Sequence, residues 1–208
     1  MGYHSGTHIS HDRGETWHDI TLEWKYQPTP EPYERFIGDG IWSMTEFGGY
    51  LWIAHSVTDM FRSSDNGETW EIIRAFEPGR VTDWAVLDDR LYVSGRAGFG
   101  RWNEMEGEWE YLTEGLPFGR DPPHLMNLAV NRGRIFAALY YHGVYMFDVR
   151  SETWISVGLR ELSVTALVSH KSDLYAATKD GIYRASIPNV QPHGKAAIIW
   201  GAIKQSVR

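Results

Sequence analysis

Two short segments of the chain repeat nearly the same sequence, and this repeat constrains the fold more than any other feature. Residues 10–17 and 63–70, here the first and second motif, both match Ser-x-Asp-x-Gly-x-Thr-Trp. The Asp side chain can accept hydrogen bonds from backbone N–H groups just after it, and Gly adopts the positive φ that closes a tight turn. Thr and Trp favour the start of a strand, so each motif predicts a loop between two strands.

Strand patterns recur around both motifs and continue through the rest of the chain. Five tryptophans, each followed three residues later by an aliphatic residue, are spaced roughly 40–50 residues apart, an interval typical of a four-stranded propeller blade. They are Trp17, Trp70, Trp109, Trp154 and Trp200. Alternating apolar positions and small turn residues between them predict an all-β chain with little helix.

Four of the repeating units show all four strand patterns, and each begins with an apolar strand. These first strands are expected at Ile41 to Thr45, Val81 to Leu87, Leu125 to Val130 and Val164 to Ser169. The unit at the N-terminus shows only its third and fourth strands, around residues 6–10 and 17–20, with Trp200 expected in the last strand of the final unit. The sequence therefore predicts a β-propeller of four-stranded antiparallel blades, with about four complete blades plus a half blade at the N-terminus.

The half blade leaves two explanations open for a chain that is expected to form a single domain over residues 1–208. A propeller closes with whole blades, because an open inner edge leaves backbone groups unpaired. Either the chain is the C-terminal part of a longer propeller, or partner copies complete the ring by supplying strands. The second explanation predicts a homo-oligomer.

The two motifs resemble the Asp-box, or bacterial neuraminidase repeat, of the β-propellers of sialidases and many unrelated proteins. The residues that carry the resemblance are Ser10, Asp12, Gly14, Thr16 and Trp17, and then Ser63, Asp65, Gly67, Thr69 and Trp70. The resemblance is confined to these two stretches. It implies a structural role away from any active site, with both tryptophans largely buried between sheets. It also implies an extracellular or periplasmic location, although residues 1–5 do not form a signal segment.

Sialidase activity, as the resemblance implies it, needs three arginines that grip the substrate carboxylate, a Tyr–Glu nucleophile pair and an acid/base Asp. The early arginine of that family lies in an Arg-Ile-Pro context, a tripeptide that this sequence lacks. We therefore expect a non-catalytic binding module for glycan or protein ligands. The alternatives are a sialidase-type glycoside hydrolase, or a fragment of one, and a structural propeller that forms assemblies.

Two long connections carry aromatic and charged residues on the expected loop-rich face of the propeller, a usual place for binding. The candidate binding residues are Trp24, Tyr33 and Arg35 in residues 21–40, Phe118 and Arg120 in residues 114–123, and Arg96, Tyr141 and His142 in turns between second and third strands. Aromatic rings beside Arg and His can stack on a sugar ring and hydrogen-bond its hydroxyls. The alternative is that these side chains hold the long loops on the scaffold.

Charge and composition disfavour several classes of partner. The 208 residues carry a formal net charge of −7 at pH 7, which argues against a nucleic-acid partner, since nucleic acid requires a basic face. No apolar run approaches membrane-spanning length, so no membrane insertion is expected. We expect no cofactor and no metal. His4 and His8, for example, would lie about 13 Å apart on a strand, too far to share one ion.

Overall fold

Strands account for the regular structure of the part of the chain that can be described. A computed structural model describes residues 7–20, 41–55, 60–73, 76, 81–96, 98–117, 124–188 and 198–203, and none of these residues lies in a helix. Strands β1 (Thr7–Ile9) and β2 (His18–Ile20) pair in antiparallel fashion as a hairpin. The hairpin is the predicted half blade, and the first motif connects its strands.

Four further sheets follow, each with four antiparallel strands in chain order. Sheet 1 contains β3 (Ile41–Phe47), β4 (Tyr50–His55), β5 (Met60–Ser63) and β6 (Glu71–Ile73). Sheet 2 contains β7 (Val81–Leu87), β8 (Arg90–Gly95), β9 (Gly98–Asn103) and β10 (Glu108–Tyr111). Sheet 3 contains β11 (Leu125–Asn131), β12 (Arg134–Leu139), β13 (Gly143–Asp148) and β14 (Thr153–Gly158). Sheet 4 contains β15 (Val164–His170), β16 (Asp173–Thr178), β17 (Gly181–Ser186) and β18 (Gly201–Ala202).

This order confirms the prediction of four complete four-stranded units and a two-stranded hairpin. One detail of the prediction is wrong. Trp200 lies directly before β18 and not inside it, because only Gly201 and Ala202 pair with β17.

The turns between first and second strands explain why the hairpins close so tightly. In three sheets both central turn residues have positive φ, as at Asp88 and Asp89 with φ of 50° and 52°. The other two turns are Gly48–Gly49 and Arg132–Gly133. Two consecutive left-handed residues match the right-handed twist of the flanking strands, and Gly and Asp tolerate that conformation better than most residues.

The first strand of every sheet carries a register shift near its start. In β7 and β11 the shift lies just before Asp83 and Asn127, respectively. In sheet 2, the Asp83 carboxylate then accepts hydrogen bonds from the Leu128 backbone N–H at 2.8 Å and from the Asn127 amide at 2.5 Å. In sheet 3, Asn127 Oδ1 accepts a hydrogen bond from the Leu167 backbone N–H at 2.5 Å. We call these the first-strand bonds, and they join sheet 2 to the first strand of sheet 3 and sheet 3 to the first strand of sheet 4.

The chain divides into two compact units, Met1–Ala75 and Phe76–Arg208. In the first unit, Ile53 and Phe61 are buried, with Ile41 and Trp70 packed against them. In the second unit, sheets 2 and 3 enclose one apolar cluster, and sheets 3 and 4 enclose another. Tyr92 of β8 stacks on Phe99 at a ring distance of 5.4 Å in the first of these clusters.

Two tryptophans also link consecutive sheets of the second unit. Trp154 Nε1 donates to the Leu112 carbonyl at 2.9 Å, and Trp200 Nε1 donates to the Val157 carbonyl at 3.0 Å. Leu112 and Val157 are the aliphatic residues three positions after Trp109 and Trp154. The repeated Trp-to-aliphatic spacing thus places the acceptor of one sheet opposite the donor of the next.

Candidate functional site

The candidate site lies where β8 and β12 end in sheets 2 and 3. Arg96, the residue after β8, donates from Nε to Nε2 of His124 at 3.2 Å. His124 Nε2 is the acceptor in this contact. Arg96 is exposed, and among the described residues it forms no ion pair with a carboxylate. An exposed guanidinium is a donor for an anionic or polar ligand.

Two tyrosines in the turn between β12 and β13 lie next to this pair. The Tyr140 backbone N–H donates to the His124 carbonyl at 3.1 Å, which ties the turn to the residue that Arg96 contacts. The rings of Tyr140 and Tyr141 are 4.1 Å apart, and Tyr141 has a φ of 64°. This left-handed conformation directs a large side chain outward, and Tyr141 is 63% exposed.

The turn is held in place by its surroundings and not by the tyrosine rings. The His142 backbone N–H donates to the Leu139 carbonyl at 3.3 Å, and the Gly143 N–H donates to the Leu162 carbonyl at 3.1 Å. A Cβ atom at Gly143 would lie 2.3 Å from the Leu159 carbonyl oxygen, so a larger residue there would displace the turn. The exposed rings are thus presented on a fixed backbone, which lowers the entropic cost of binding a ligand.

The electrostatics of the turn favour the neutral form of Tyr140. The Tyr141 side chain raises the pKa of Tyr140 above its ordinary value, first through a hydrogen bond between the phenols and then through repulsion between their charged forms. Tyr140 therefore stays a hydrogen-bond donor at neutral pH. We call Arg96, His124, Tyr140, Tyr141 and His142 the Arg96 surface. A guanidinium, an imidazole and two phenols can together hold a carboxylate or a hydroxyl-rich ring by hydrogen bonding and stacking.

Three of the eight predicted binding residues belong to this surface, and the sequence missed two of its members. Arg96, Tyr141 and His142 were predicted, and the contacts through His124 and Tyr140 place them in one neighbourhood. The sequence signal for His124 was its position at the end of the connection 114–123, and Tyr140 directly precedes a predicted residue. The other five candidates, Trp24, Tyr33, Arg35, Phe118 and Arg120, lie outside the described residues and stay predictions.

The two motifs form nearly identical hydrogen-bonded loops, as predicted. Asp12 Oδ1 accepts from the Thr16 backbone N–H at 2.8 Å, and its other oxygen accepts from the Thr16 hydroxyl at 2.5 Å. The equivalent bonds from Thr69 to Asp65 are 2.9 and 2.6 Å. In both loops the Ser hydroxyl donates to the Asp carboxylate and accepts a hydrogen bond from the Gly backbone N–H.

The same hydrogen bonds set the charge of the motif carboxylates. Donation from the Thr69 hydroxyl, the Thr69 backbone and Ser63 lowers the pKa of Asp65 to about 2. The equivalent donors from Thr16 and Ser10 lower the pKa of Asp12 even further. Both carboxylates are therefore ionised and already occupied at neutral pH, which suits a structural role and leaves little capacity for a ligand.

The prediction that both motif tryptophans are largely buried is wrong for Trp17. Each indole N–H donates to the Gly carbonyl of its own loop, at 3.1 Å for Trp17 and 3.0 Å for Trp70. Trp70 packs against Ile53 and Phe61 of its own sheet. Trp17, in contrast, is 61% exposed at the end of the two-stranded hairpin.

Neither a metal centre nor a spanning helix is found among the described residues. They include no group of three or more His, Cys, Asp or Glu side chains that could hold a metal ion. Nor do they contain a helix long and apolar enough to cross a membrane.

Comparison with known proteins identifies the fold. No protein-family model and no curated sequence matches the chain. The structure of YCF48 bound to D1 peptide is similar over 96% of this chain and 62% of that chain, with 16% identity and a TM-score of 0.65. The extracellular domain of BT4673 from B. thetaiotaomicron matches over 80% of this chain, with 13% identity and a TM-score of 0.62. The WD40 repeats of RRP9 match over 70%, with 17% identity and a TM-score of 0.55.

These likenesses and the four four-stranded sheets place the chain among the β-propeller folds. The chain spans only 22% of the BT4673 domain, 62% of YCF48 and 48% of the RRP9 repeats. At such low identity the comparisons concern the fold alone.

Proposed function

We propose that the chain is a non-catalytic binding module whose ligand docks on the Arg96 surface. One observation carries this proposal: an exposed arginine contacts a histidine side chain, and two exposed tyrosine rings lie beside it. Exposed aromatic and arginine side chains are the residue types that contribute most to protein interfaces. The backbone hydrogen bonds that hold the turn come from Tyr140, His142 and Gly143, so they do not depend on the Tyr141 side chain.

Three other arginines of the described residues are used differently from Arg96, because each pairs with a carboxylate. Arg62 pairs with Glu71 on the neighbouring strand of sheet 1. In sheet 4, Arg184 contacts Asp173.

Arg101 shows the same structural use in sheet 2. It bridges Glu110 of its own sheet and Glu152 of sheet 3, at 2.6 and 2.8 Å. Burial disfavours its charge, but the hydrogen bonds to both carboxylates outweigh this and raise the pKa of Arg101 above its ordinary value. These arginines hold strands together, whereas Arg96 contacts His124 and, among the described residues, no carboxylate of its own sheet.

A protein segment with an acidic side chain or a free carboxylate is the ligand class that we favour. The similar structure of YCF48 holds a bound peptide, which supports a protein ligand for this fold. A glycan is the second class, because the two phenols can stack on a sugar ring. We further propose that the motifs belong to the Asp-box type and that the chain acts outside the cytoplasm. Their repeated hydrogen bonds support the first idea, and the extracellular domain among the similar structures supports the second.

Catalysis by a sialidase-type mechanism is the competing proposal, and one assay decides between them. The full chain is incubated with a fluorogenic sialoside, and the rate is compared with buffer. A non-catalytic module gives no turnover above buffer. Hydrolysis that Arg96→Ala or Arg120→Ala abolishes would refute the binding-module proposal and support a hydrolase.

Binding is tested with the immobilised chain on a peptide array rich in acidic and C-terminal carboxylates, and on a glycan array. Aromatic stacking and a few hydrogen bonds give dissociation constants in roughly the micromolar to millimolar range. Arg96→Ala and Tyr141→Ala should each weaken binding about tenfold or more and leave the melting temperature within about 2 °C.

Arg150→Ala is the matched control for these substitutions. Arg150 is also an exposed turn residue, but it follows β13, at the opposite end of that strand from Tyr141. Its removal should leave binding unchanged. Equal losses in Arg150→Ala and Arg96→Ala would show non-specific charge attraction and overturn the assignment of the site.

A further inference from the structure

One face of sheet 4 carries exposed apolar residues beside the Arg184–Asp173 ion pair, although the equivalent face of sheet 3 is covered. Leu167, Leu174 and Ala176 pack against sheet 3, so the alternate residues Val168 and Tyr175, which pair with each other, point away from it. Val168 is 58% exposed. We call this the forward face of sheet 4.

The internal repeat shows what covers a forward face. In sheet 3 the positions equivalent to Val168 and Tyr175 are Ala129 and Phe136, and both pack against sheet 4. They are 8% and 0% exposed. The covering surface is the backward face of the next sheet, and its first strand contributes Leu167, which is 4% exposed.

An exposed backward face occurs on β3 of sheet 1. Met44 holds the position in β3 that Leu128 holds in β11 and Leu167 in β15, since it follows the register shift by the same number of residues. Leu128 and Leu167 are buried against the preceding sheet. Met44 is 60% exposed, and Trp42 on the same face of β3 is 50% exposed.

We propose that the forward face of sheet 4 of one copy packs on the Met44 face of a second copy. The contact would reproduce between molecules the part of the sheet 3 to sheet 4 packing that the first strands form, since the hairpin already contacts the second motif of sheet 1. The second copy is the fitting partner because the chain itself presents both halves of this repeated contact. Two different surfaces meet, so the association is head-to-tail and leads to a ring or an open chain of copies.

The residue before Val168 and Leu167 in β15 removes one hydrogen bond from the proposed contact. Asp83 and Asn127 accept the backbone N–H of Leu128 and Leu167 in the first-strand bonds. The equivalent residue in sheet 4 is Ala166, whose methyl group accepts nothing. The intermolecular contact therefore lacks the hydrogen bond to the Met44 N–H. Ala166→Asn supplies an acceptor like that of Asn127 and should strengthen self-association by about tenfold.

Sedimentation velocity over a concentration series of the full chain tests the proposal. The wild-type mass should rise with concentration and pass beyond that of a dimer. Val168→Asp and Met44→Asp should each lower the affinity by at least about tenfold, because a charge is placed in an apolar contact. Met105→Asp is the control, since Met105 is 96% exposed in a turn of sheet 2 and should change nothing.

Mixing the two variants gives the decisive result. Val168→Asp keeps an intact Met44 face, and Met44→Asp keeps an intact forward face, so the mixture should form a one-to-one dimer that grows no further. Dimers of Met44→Asp alone would show that the forward face pairs with itself and would overturn the head-to-tail arrangement. A wild-type chain and an Ala166→Asn chain that both stay monomeric at high concentration would overturn self-association altogether. Val168→Thr and Met44→Gln serve as milder variants if either Asp substitution lowers the melting temperature.

Discussion

Replacing Trp154 with Phe tests whether the indole N–H bonds hold consecutive sheets together. Trp154 is 3% exposed and donates to the Leu112 carbonyl of sheet 2 at 2.9 Å. Its ring packs against Phe99 and Phe147 at 4.8 and 5.2 Å. Phe keeps most of these ring contacts but has no donor, so the substitution isolates the hydrogen bond better than Ala does.

The expected cost follows from two effects. The Leu112 carbonyl loses its donor in a place that water does not reach, which costs about 1–3 kcal/mol. The smaller ring leaves unfilled space worth about 1 kcal/mol. We therefore expect Trp154→Phe to lower the free energy of unfolding by about 2–4 kcal/mol, less than the 3–5 kcal/mol that is typical for a buried Trp replaced by Ala.

Urea unfolding followed by far-UV circular dichroism measures this loss, with Trp17→Phe as the control. The Trp17 indole makes a similar bond to the Gly14 carbonyl at 3.1 Å, but its side chain is 61% exposed. Water can replace that bond, so the control should stay within about 0.5 kcal/mol of wild type. Hydrogen exchange should also accelerate in β10 and β14 of Trp154→Phe only. A loss below about 0.5 kcal/mol for Trp154→Phe would refute the idea that this bond joins the sheets.

Three further predictions test other parts of the structure. Gly115→Ala should lower the free energy of unfolding by more than about 2 kcal/mol, because the added Cβ would lie 2.2 Å from the Trp154 carbonyl oxygen. The control in thermal melts is Gly107→Ala, which is also at positive φ but whose added Cβ would have no atom within 4 Å. Asp83→Ala should lower the free energy of unfolding in urea by about 2–3 kcal/mol, because the Leu128 N–H loses its acceptor. The control, Glu106→Ala in an exposed turn, should leave that free energy unchanged. Equal effects of the two substitutions would contradict the first-strand bonds. The stability that Asp65 contributes should be complete above its ordinary pKa of 3.8 and disappear as the pH falls through about 2. The difference in unfolding free energy between wild type and Asp65→Asn should therefore shrink over that window. A constant difference would count against the lowered pKa.

The sequence predicted most of the fold because the strand pattern is local. Alternating apolar residues and two-residue turns such as Asp88–Asp89 fix each strand by its own chemistry, and the motif loops close through bonds within a few residues. Contacts between sheets were not predicted, because they depend on which strands become neighbours. The repeated position after the register shift is occupied by a different residue in each of sheets 2, 3 and 4, namely Asp83, Asn127 and Ala166. No shared residue type therefore identifies this position in the sequence.

The same limit applies to the candidate site. Arg96 and Tyr141 stand out in sequence as charged and aromatic turn residues, but His124 joins them only through a contact 28 residues away. The exposure of Trp17 was missed for a related reason. Its motif is as complete as that of Trp70, so the motif sequence alone does not determine burial.

Sheet 3 is joined to sheet 2 and to sheet 4 by the same kinds of hydrogen-bonding group, so a second copy of sheet 3 could be joined to the first in the same way. Toward sheet 2 it presents the N–H groups of Leu128 and Trp154, and toward sheet 4 it presents the Asn127 side chain and the Val157 carbonyl. A tandem duplication of residues 113–157 would therefore offer each new neighbour a matching donor or acceptor. The propeller architecture of this chain can be lengthened by copying one segment of gene, without inventing a new contact between sheets.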